Sequence, residues 1–200
     1  RYGYTIEPDW VTLGAGIVYA LGTSVRAFTE KGDAMMVMQP VYYPFSEVIK
    51  NDGRRLVNCQ LRYENNHYSI DFEKMEKMIR EEGVKALIFC NPHNPVGRVW
   101  TREELERVAE ICLKYNVTWM VDEMHFHFPG TYLHKLYESG RKIPSDSCTL
   151  QLTGKDIQRG RTSAGKYHHS KRRVAKKISV GKYTGSLQPG KSDGTACSQG

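Results

Sequence analysis

The sequence predicts an α/β fold with a mostly parallel sheet over residues 1–130, followed by a tail that belongs to no packed layer. Three observations carry this. Short, nearly continuous apolar runs stand at residues 34–38, 85–90 and 117–121, the pattern of strands buried on both faces. Stretches with apolar residues at helical spacing alternate with them, which favours parallel crossovers. Past residue 130 the apolar runs stop and the charge changes sign.

A helix over residues 13–30 is entered through the turn Gly14-Ala15-Gly16, with Ile17, Leu21, Val25 and Phe28 recurring on one face. Residues 34–38 form a strand, broken by Gln39-Pro40-Val41-Tyr42-Tyr43-Pro44, and a helix follows over 45–51. Residues 55–59 suit another strand. Ser69-Ile70-Asp71-Phe72-Glu73 opens a helix capped by Ser69 or Asp71. The clearest buried strand, 85–90, ends at Asn91-Pro92-His93-Asn94-Pro95-Val96-Gly97. Thr101-Arg102-Glu103-Glu104 is a capping box for a helix over 105–115. The strand at 117–121 then runs into Asp122-Glu123.

The net charge of +7 is unevenly distributed. Residues 1–130 hold 15 Lys+Arg against 18 Asp+Glu, and residues 131–200 hold 14 against 4. The first part is therefore at −3 and the tail at +10, with 60 of 130 residues hydrophobic in the one and 19 of 70 in the other. A globular segment, 1–130, is thus joined to a basic, apolar-poor segment, 131–200, of a composition that favours disorder. No run of about eighteen apolar residues exists, so no membrane span is expected. The N-terminus does not resemble a signal peptide. Five cysteines without a CxxC favour free thiols in a reducing compartment, and so the cytoplasm.

In parallel sheets ligands bind at the carboxyl ends of strands. The polar groups there are Tyr42, Asn91, Asn94, Asp122 and His125, and the helix start at Gly16 and Ile17 offers free N–H groups to a phosphate. Each also has an ordinary explanation: a turn asparagine, a capping aspartate, half-buried tyrosines, a two-glycine turn. His125 and His127 alternate as metal ligands can, but no third ligand is evident and no metal is expected.

Together these strings resemble the fold-type I pyridoxal-phosphate enzymes, in particular the cystathionine β-lyase-like C–S lyase branch of the class I/II aminotransferase family. The resemblance rests on Arg1-Tyr2-Gly3-Tyr4, Gly14-Ala15-Gly16-Ile17-Val18-Tyr19-Ala20-Leu21, Pro40-Val41-Tyr42-Tyr43-Pro44-Phe45, Cys90-Asn91-Pro92-His93-Asn94-Pro95-Val96-Gly97 and Val121-Asp122-Glu123-Met124-His125. It implies part of an aspartate aminotransferase-like large domain that binds pyridoxal 5′-phosphate. Gly16 and Ile17 would hold the phosphate through backbone N–H groups, and Tyr42 would stack on the ring. Asn94 would bind the ring hydroxyl oxygen, with His125 as a second group nearby, and Asp122 would pair with the ring nitrogen. The implied reaction is β-elimination from cystathionine or another cysteine S-conjugate to thiol, ammonia and pyruvate, in a homodimer acting on a small-molecule amino-acid substrate. Amino transfer is the alternative.

Two departures bear on this chain. The family has a preceding segment of several tens of residues. The motif S-K-x-F-N-x-A-G, whose lysine forms the Schiff base, is not in the sequence; Thr153-Gly154-Lys155-Asp156-Ile157 does not match it. The expected catalytic set is therefore empty, and the chain is expected to bind cofactor weakly or not at all and to be inactive.

A shifted reading frame accounts for the tail. Read one nucleotide later, the codons of residues 155–164 permit Lys, Thr, Phe, Asn, Val, Ala and Gly in succession, which is the missing motif. Residues 166–172 likewise permit Asn-Ile-Ile-Ile-Pro-Asn, the family's next strand. A single-nucleotide change is placed between Phe126 and Thr131, after about residue 127. The rival explanation is that Lys171-Arg172-Arg173-Val174-Ala175-Lys176-Lys177, with Tyr167, His168 and His169, binds nucleic-acid phosphates. A basic run is more often a solvated cluster, so nucleic acid is not expected as a partner. A non-catalytic fragment is the third reading.

Overall fold

The computed structural model describes residues 11–14, 16–124, 148–152 and 165–169. After β1 (Val11–Gly14), helix α1 (Ile17–Phe28) leads to β2 (Ala34–Val37), α2 (Pro44–Asn51) and β3 (Arg55–Asn58). A hairpin of β4 (Arg62–Glu64) and β5 (His67–Ser69) precedes α3 (Phe72–Glu82), β6 (Val84–Cys90), α4 (Arg102–Lys114) and β7 (Thr118–Asp122). β8 (Cys148–Leu152) and β9 (Gly165–His169) complete the described strands.

Seven strands form one sheet in the order β1-β9-β8-β7-β6-β2-β3. The neighbours from β3 to β8 pair in parallel, and β9 runs antiparallel to both β8 and β1. The mostly parallel sheet expected from the apolar runs is therefore present.

Alternation along the strands sorts the core into two layers. Ala34, Met36, Leu87, Phe89, Trp119 and Val121 face a cluster shared with Met75 and Ile79 of α3 and Leu105, Val108 and Cys112 of α4. Met35, Val37, Ala86, Ile88, Cys90 and Met120 face the opposite cluster, with Ile17, Leu21 and Val25 of α1 and Phe45 and Ile49 of α2. Phe89 anchors the first layer, its ring centroid 5.7 Å from that of Trp119 and 6.0 Å from that of Trp100. Burying aromatic rings of this size supplies much of such a layer's stability.

Helix ends follow the local chemistry. Asp71, not Ser69, caps α3 by accepting from the Lys74 N–H at 3.0 Å, and Gly83 ends that helix at φ 63°. In α4, Thr101 Oγ1 accepts from the Glu104 N–H at 3.2 Å, and Glu104 Oε2 accepts from the Thr101 N–H at 2.8 Å, closing the expected capping box.

Two sequence expectations need correction. Leu13 and Gly14 are not helical; they pair with Lys166 and Gly165, and α1 starts only after Gly16, whose φ of 92° is incompatible with a helix. The β4–β5 hairpin was not expected. Its turn rests on Asn65 and Asn66, both at positive φ (50° and 58°), a conformation asparagine tolerates and two-residue hairpin loops require. Within residues 131–200, β8 takes the parallel edge of β7, and β9 folds back along β8. Strand β9 falls in the segment where the shifted frame places the family's next strand.

Candidate active site

The carboxyl ends of β2, β6 and β7 are neighbours in the sheet, so the loops leaving these strands converge on one edge. Asp122 closes β7. It has the alternation parity of Met120, which turns it to the α1/α2 face, in register with Cys90. It is buried, and its Oδ1 accepts from the Met124 N–H at 2.9 Å. Burial pushes its pKa from the ordinary 3.8 up to about 6, against the smaller effect of that hydrogen bond. Among the described residues no cation offsets its burial.

Tyr42 follows β2 in the loop that leads to Pro44, the first residue of α2. It is half-buried against the same cluster, with its ring centroid 5.8 Å from that of Phe45 at an interplanar angle of 87°. Its neighbour Tyr43 is exposed. Gly16 and Ile17 begin α1 on this face too. No side chain caps that helix, and its first turn carries no acidic residue, so the N-terminal N–H groups and the helix dipole are left for an anion. Gly16 itself needs a φ that other residues rarely adopt.

The loop after β6 is tied down residue by residue. Asn91 is fully buried; its N–H donates to the Asp122 carbonyl at 3.0 Å and its Oδ1 accepts from the Trp100 N–H at 3.2 Å. It therefore serves the loop rather than the open edge. Trp100 Nε1 donates to the Cys90 carbonyl at 3.0 Å. The Cys90 thiol donates to the Pro92 carbonyl at 3.1 Å and accepts weakly from the Asn94 N–H at 3.5 Å. Asn94 is thus held by its backbone, while its side-chain amide has no partner among the described residues. Of the candidates, Gly16, Ile17, Tyr42 and Asp122 share one face, and Asn94 adjoins them at the end of β6. His125 lies outside the described residues, as do His127 and Lys155.

Sequence reasoning assigned no role to two residues at this edge. Cys90 joins Asp122 and Asn94, and buried His93 contacts the loop after β2. Their signal was the parity of β6 and the placing of His93 between prolines. Three buried cysteines, Cys59, Cys90 and Cys112, are free thiols. No group of acidic, histidine and cysteine residues able to hold a metal occurs among the described residues, and no described helix is long and apolar enough to cross a membrane.

The family model for aminotransferase class I and II matches residues 1–138. The chain belongs to that family. It is 42% identical over 125 residues to cystathionine beta-lyase PatB of Bacillus subtilis, a match covering 62% of this chain and 32% of the relative. Over 135 residues it is 35% identical to cystathionine beta-lyase of Corynebacterium glutamicum, covering 66% and 35%. The chain therefore spans about a third of the length of these curated relatives. The crystal structure of cystalysin from Treponema denticola, which contains pyridoxal 5′-phosphate, matches with a TM-score of 0.83 and 32% identity, over 92% of this chain and 47% of that one. The seven-stranded sheet is thus an aminotransferase-like large-domain sheet.

Proposed function

We propose that this chain carries the cofactor-contacting wall of a pyridoxal 5′-phosphate-dependent C–S β-lyase. The observation that supports this best is Asp122, a buried carboxylate at a strand end with no described cation to offset its burial. A protonated pyridine nitrogen is a flat cation suited to that position, and the uncapped start of α1 on the same face suits its phosphate. The donor set fits the group at both of its charged ends.

In this reading Asp122 keeps the proton on the ring nitrogen, and the backbone N–H groups of Gly16 and Ile17 hold the phosphate. Tyr42 covers one ring face and excludes water from it. Asn94, with His125 as the second group, donates to the ring hydroxyl oxygen. When bound, the cofactor supplies an electron sink for the carbanion left by removal of an amino acid's α-proton. Cystathionine or another cysteine S-conjugate is the substrate, which the cystathionine beta-lyase names of the relatives favour. The working form is a cytoplasmic homodimer.

This chain is itself without turnover in our reading, because the Schiff-base lysine motif is not in its sequence. The test is a pyridoxal 5′-phosphate titration of the 200-residue chain, followed by ring absorbance, with pyruvate assayed after adding cystathionine. Weak saturable binding that Asp122→Asn abolishes, with no pyruvate, is expected. Pyruvate release would overturn the inactivity, and saturable binding that Asp122→Asn leaves unchanged would overturn the cofactor wall.

Amino transfer is the second reading, favoured by the description of the matching family model. In the protein made from the corrected reading frame, pyruvate formed from cystathionine without an oxo acid marks the lyase. Product formed only with an added oxo acid marks the aminotransferase. Sequencing the coding DNA across codons 120 to 165 tests the shifted frame directly.

A further inference from the structure

The wall formed by Tyr42 and Asn94 is assembled from two separate loops. One follows β2 and the other follows β6. These strands pair in parallel, with Met36 opposite Leu87 as the last register partners, so the ladder stops before either loop begins. Beyond it, something else must fix the loops relative to one another.

His93 is the residue placed to do so. Its Nε2 lies 3.0 Å from the Pro40 carbonyl oxygen, 53 positions earlier in the chain. A carbonyl only accepts, so the Nε2 carries the proton and the ring presents its Nδ1 as an acceptor. That Nδ1 is buried and has no partner among the described residues. The His93 backbone is held at both ends of its own turn: its N–H donates to the Arg98 carbonyl at 2.7 Å, and its carbonyl accepts from the Gly97 N–H at 2.7 Å. Trp100 fixes the ring edge-to-face, with centroids 5.3 Å apart at 87°. Trp100 belongs to the α3/α4 layer, whereas Asp122 and Tyr42 face the other layer. His93 thus approaches the wall from behind.

We infer that His93 is a positioning residue that latches the loop bearing Asn94 to the loop bearing Tyr42 through its Nε2–H···O=C bond to Pro40. It touches neither substrate nor cofactor. Burial keeps the ring neutral, pushing its pKa down against the smaller upward pull of the Pro40, Met38 and Cys90 carbonyls. A neutral ring suits the latch, since one N–H is all that Pro40 needs. Its bearing on the cofactor rests on the proposed cofactor wall; its bearing on the two loops does not.

The experiment uses the full chain and the variants His93→Leu and His93→Gln. Leucine removes the donor, while a glutamine amide can place an N–H near the Nε2 position. Amide exchange is followed at Gln39, whose N–H donates to Asn58 Oδ1 at 3.1 Å, and at Gly97, with Met75 in α3 as the control. His93→Leu is expected to speed exchange about tenfold at Gln39 as well as at Gly97, leaving Met75 unchanged, and His93→Gln to restore both. Pyridoxal 5′-phosphate affinity should fall about tenfold in the leucine variant, while competition by inorganic phosphate, which samples only the start of α1, stays constant. Unchanged exchange at Gln39, or no rescue by glutamine, overturns the latch. An equal loss of both ligands overturns the positioning role, because it signals general loosening. If the wild-type chain shows no saturable cofactor binding, exchange alone decides the latch. If His93→Leu does not fold, His93→Asn, which is too short to reach Pro40, replaces it with the same expected exchange.

Discussion

Cys90 and Asp122 stand side by side at the carboxyl ends of β6 and β7, in register across a parallel pair. The Asn91 N–H donates to the Asp122 carbonyl at 3.0 Å and carries the pairing one step past the strand. The pair sets the electrostatics of this edge. Burial raises the Cys90 pKa, and the neighbouring carboxylate raises it further. A thiol kept protonated can donate to Pro92, and the same sulfur meets the Asn94 N–H. Cys90 therefore shapes the loop and is no nucleophile.

Asp122 gives the chain a pH-dependent stability of definite sign. Its folded pKa, about 6, lies above the ordinary 3.8. Between those values the folded state holds a proton that the unfolded state has lost, so stability falls as pH rises through this window. A shift of this size corresponds to about 3 kcal/mol. In the absence of cofactor, Asp122→Asn should be more stable than wild type at pH 7 by up to that amount, and should lose the slope between about pH 4 and 6. Urea unfolding across that range checks it; a variant less stable at pH 7 without cofactor would contradict the uncompensated burial.

Thiol chemistry gives a second expectation. Burial raises Cys59 from 9.0 to about 11, and it raises Cys90 and Cys112 further. The thiolate is the reactive form, so none of the three should react with iodoacetamide at pH 8 while the chain is folded, and all should react in urea. Peptide mapping by mass spectrometry reads each site separately. Native labelling of Cys90 would mean that the β6 edge opens to solvent.

How far the fold could be read depended on the kind of signal each residue carried. Ala34, Met36, Leu87 and Phe89 announce buried strands because both faces of a parallel sheet need apolar side chains. Thr101 and Glu104 announce a helix start because their bonds are local in sequence. The hairpin was missed because Asn65 and Asn66 sit between Tyr63 and Tyr68, among exposed positions that show little alternation. Composition carries no information about the open edge of β7 that β8 occupies, or about the pairing of β9 with β8. The positions of Asp122 and Asn94 at the ends of β7 and β6 were legible from the apolar runs before them. His93 was not, since its partner Pro40 is distant in sequence and contributes only a carbonyl.

The α4 cap can be tested by single substitutions. Thr101→Ala removes the acceptor of the Glu104 N–H and should cost about 1 kcal/mol. Glu104→Ala should cost more. Its carboxylate accepts from the Thr101 N–H and also from Arg98 Nη2 at 2.7 Å, and both of these groups are left without it. Urea midpoints at neutral pH give the order. Equal midpoints for the two variants would mean that the Arg98 contact adds nothing, as many exposed ion pairs do; this one is largely shielded, with side-chain exposures of 14% and 18%.

Arg54 joins the end of α1 to the turn before β3, and its geometry excludes lysine as a substitute. Its Nε donates to Thr29 Oγ1 at 3.0 Å, its Nη1 to the Asp52 carbonyl at 2.5 Å, and its Nη2 to the Thr29 carbonyl. Thr29 Oγ1 in turn donates to the Val25 carbonyl at 2.6 Å, so the guanidinium closes a network at the α1 terminus. Three acceptors spread around a plane match the fixed fork of arginine and not the single point of an ammonium. Arg54→Met leaves these acceptors unpaired and should cost about 1.5–3 kcal/mol, the range for hydrogen bonds to a charged group. Arg54→Lys should recover little of this, because lysine must bury its charge with fewer bonds. Urea unfolding of the two variants decides between geometry and charge: a lysine variant near wild type would show that the positive charge alone holds the α1 terminus.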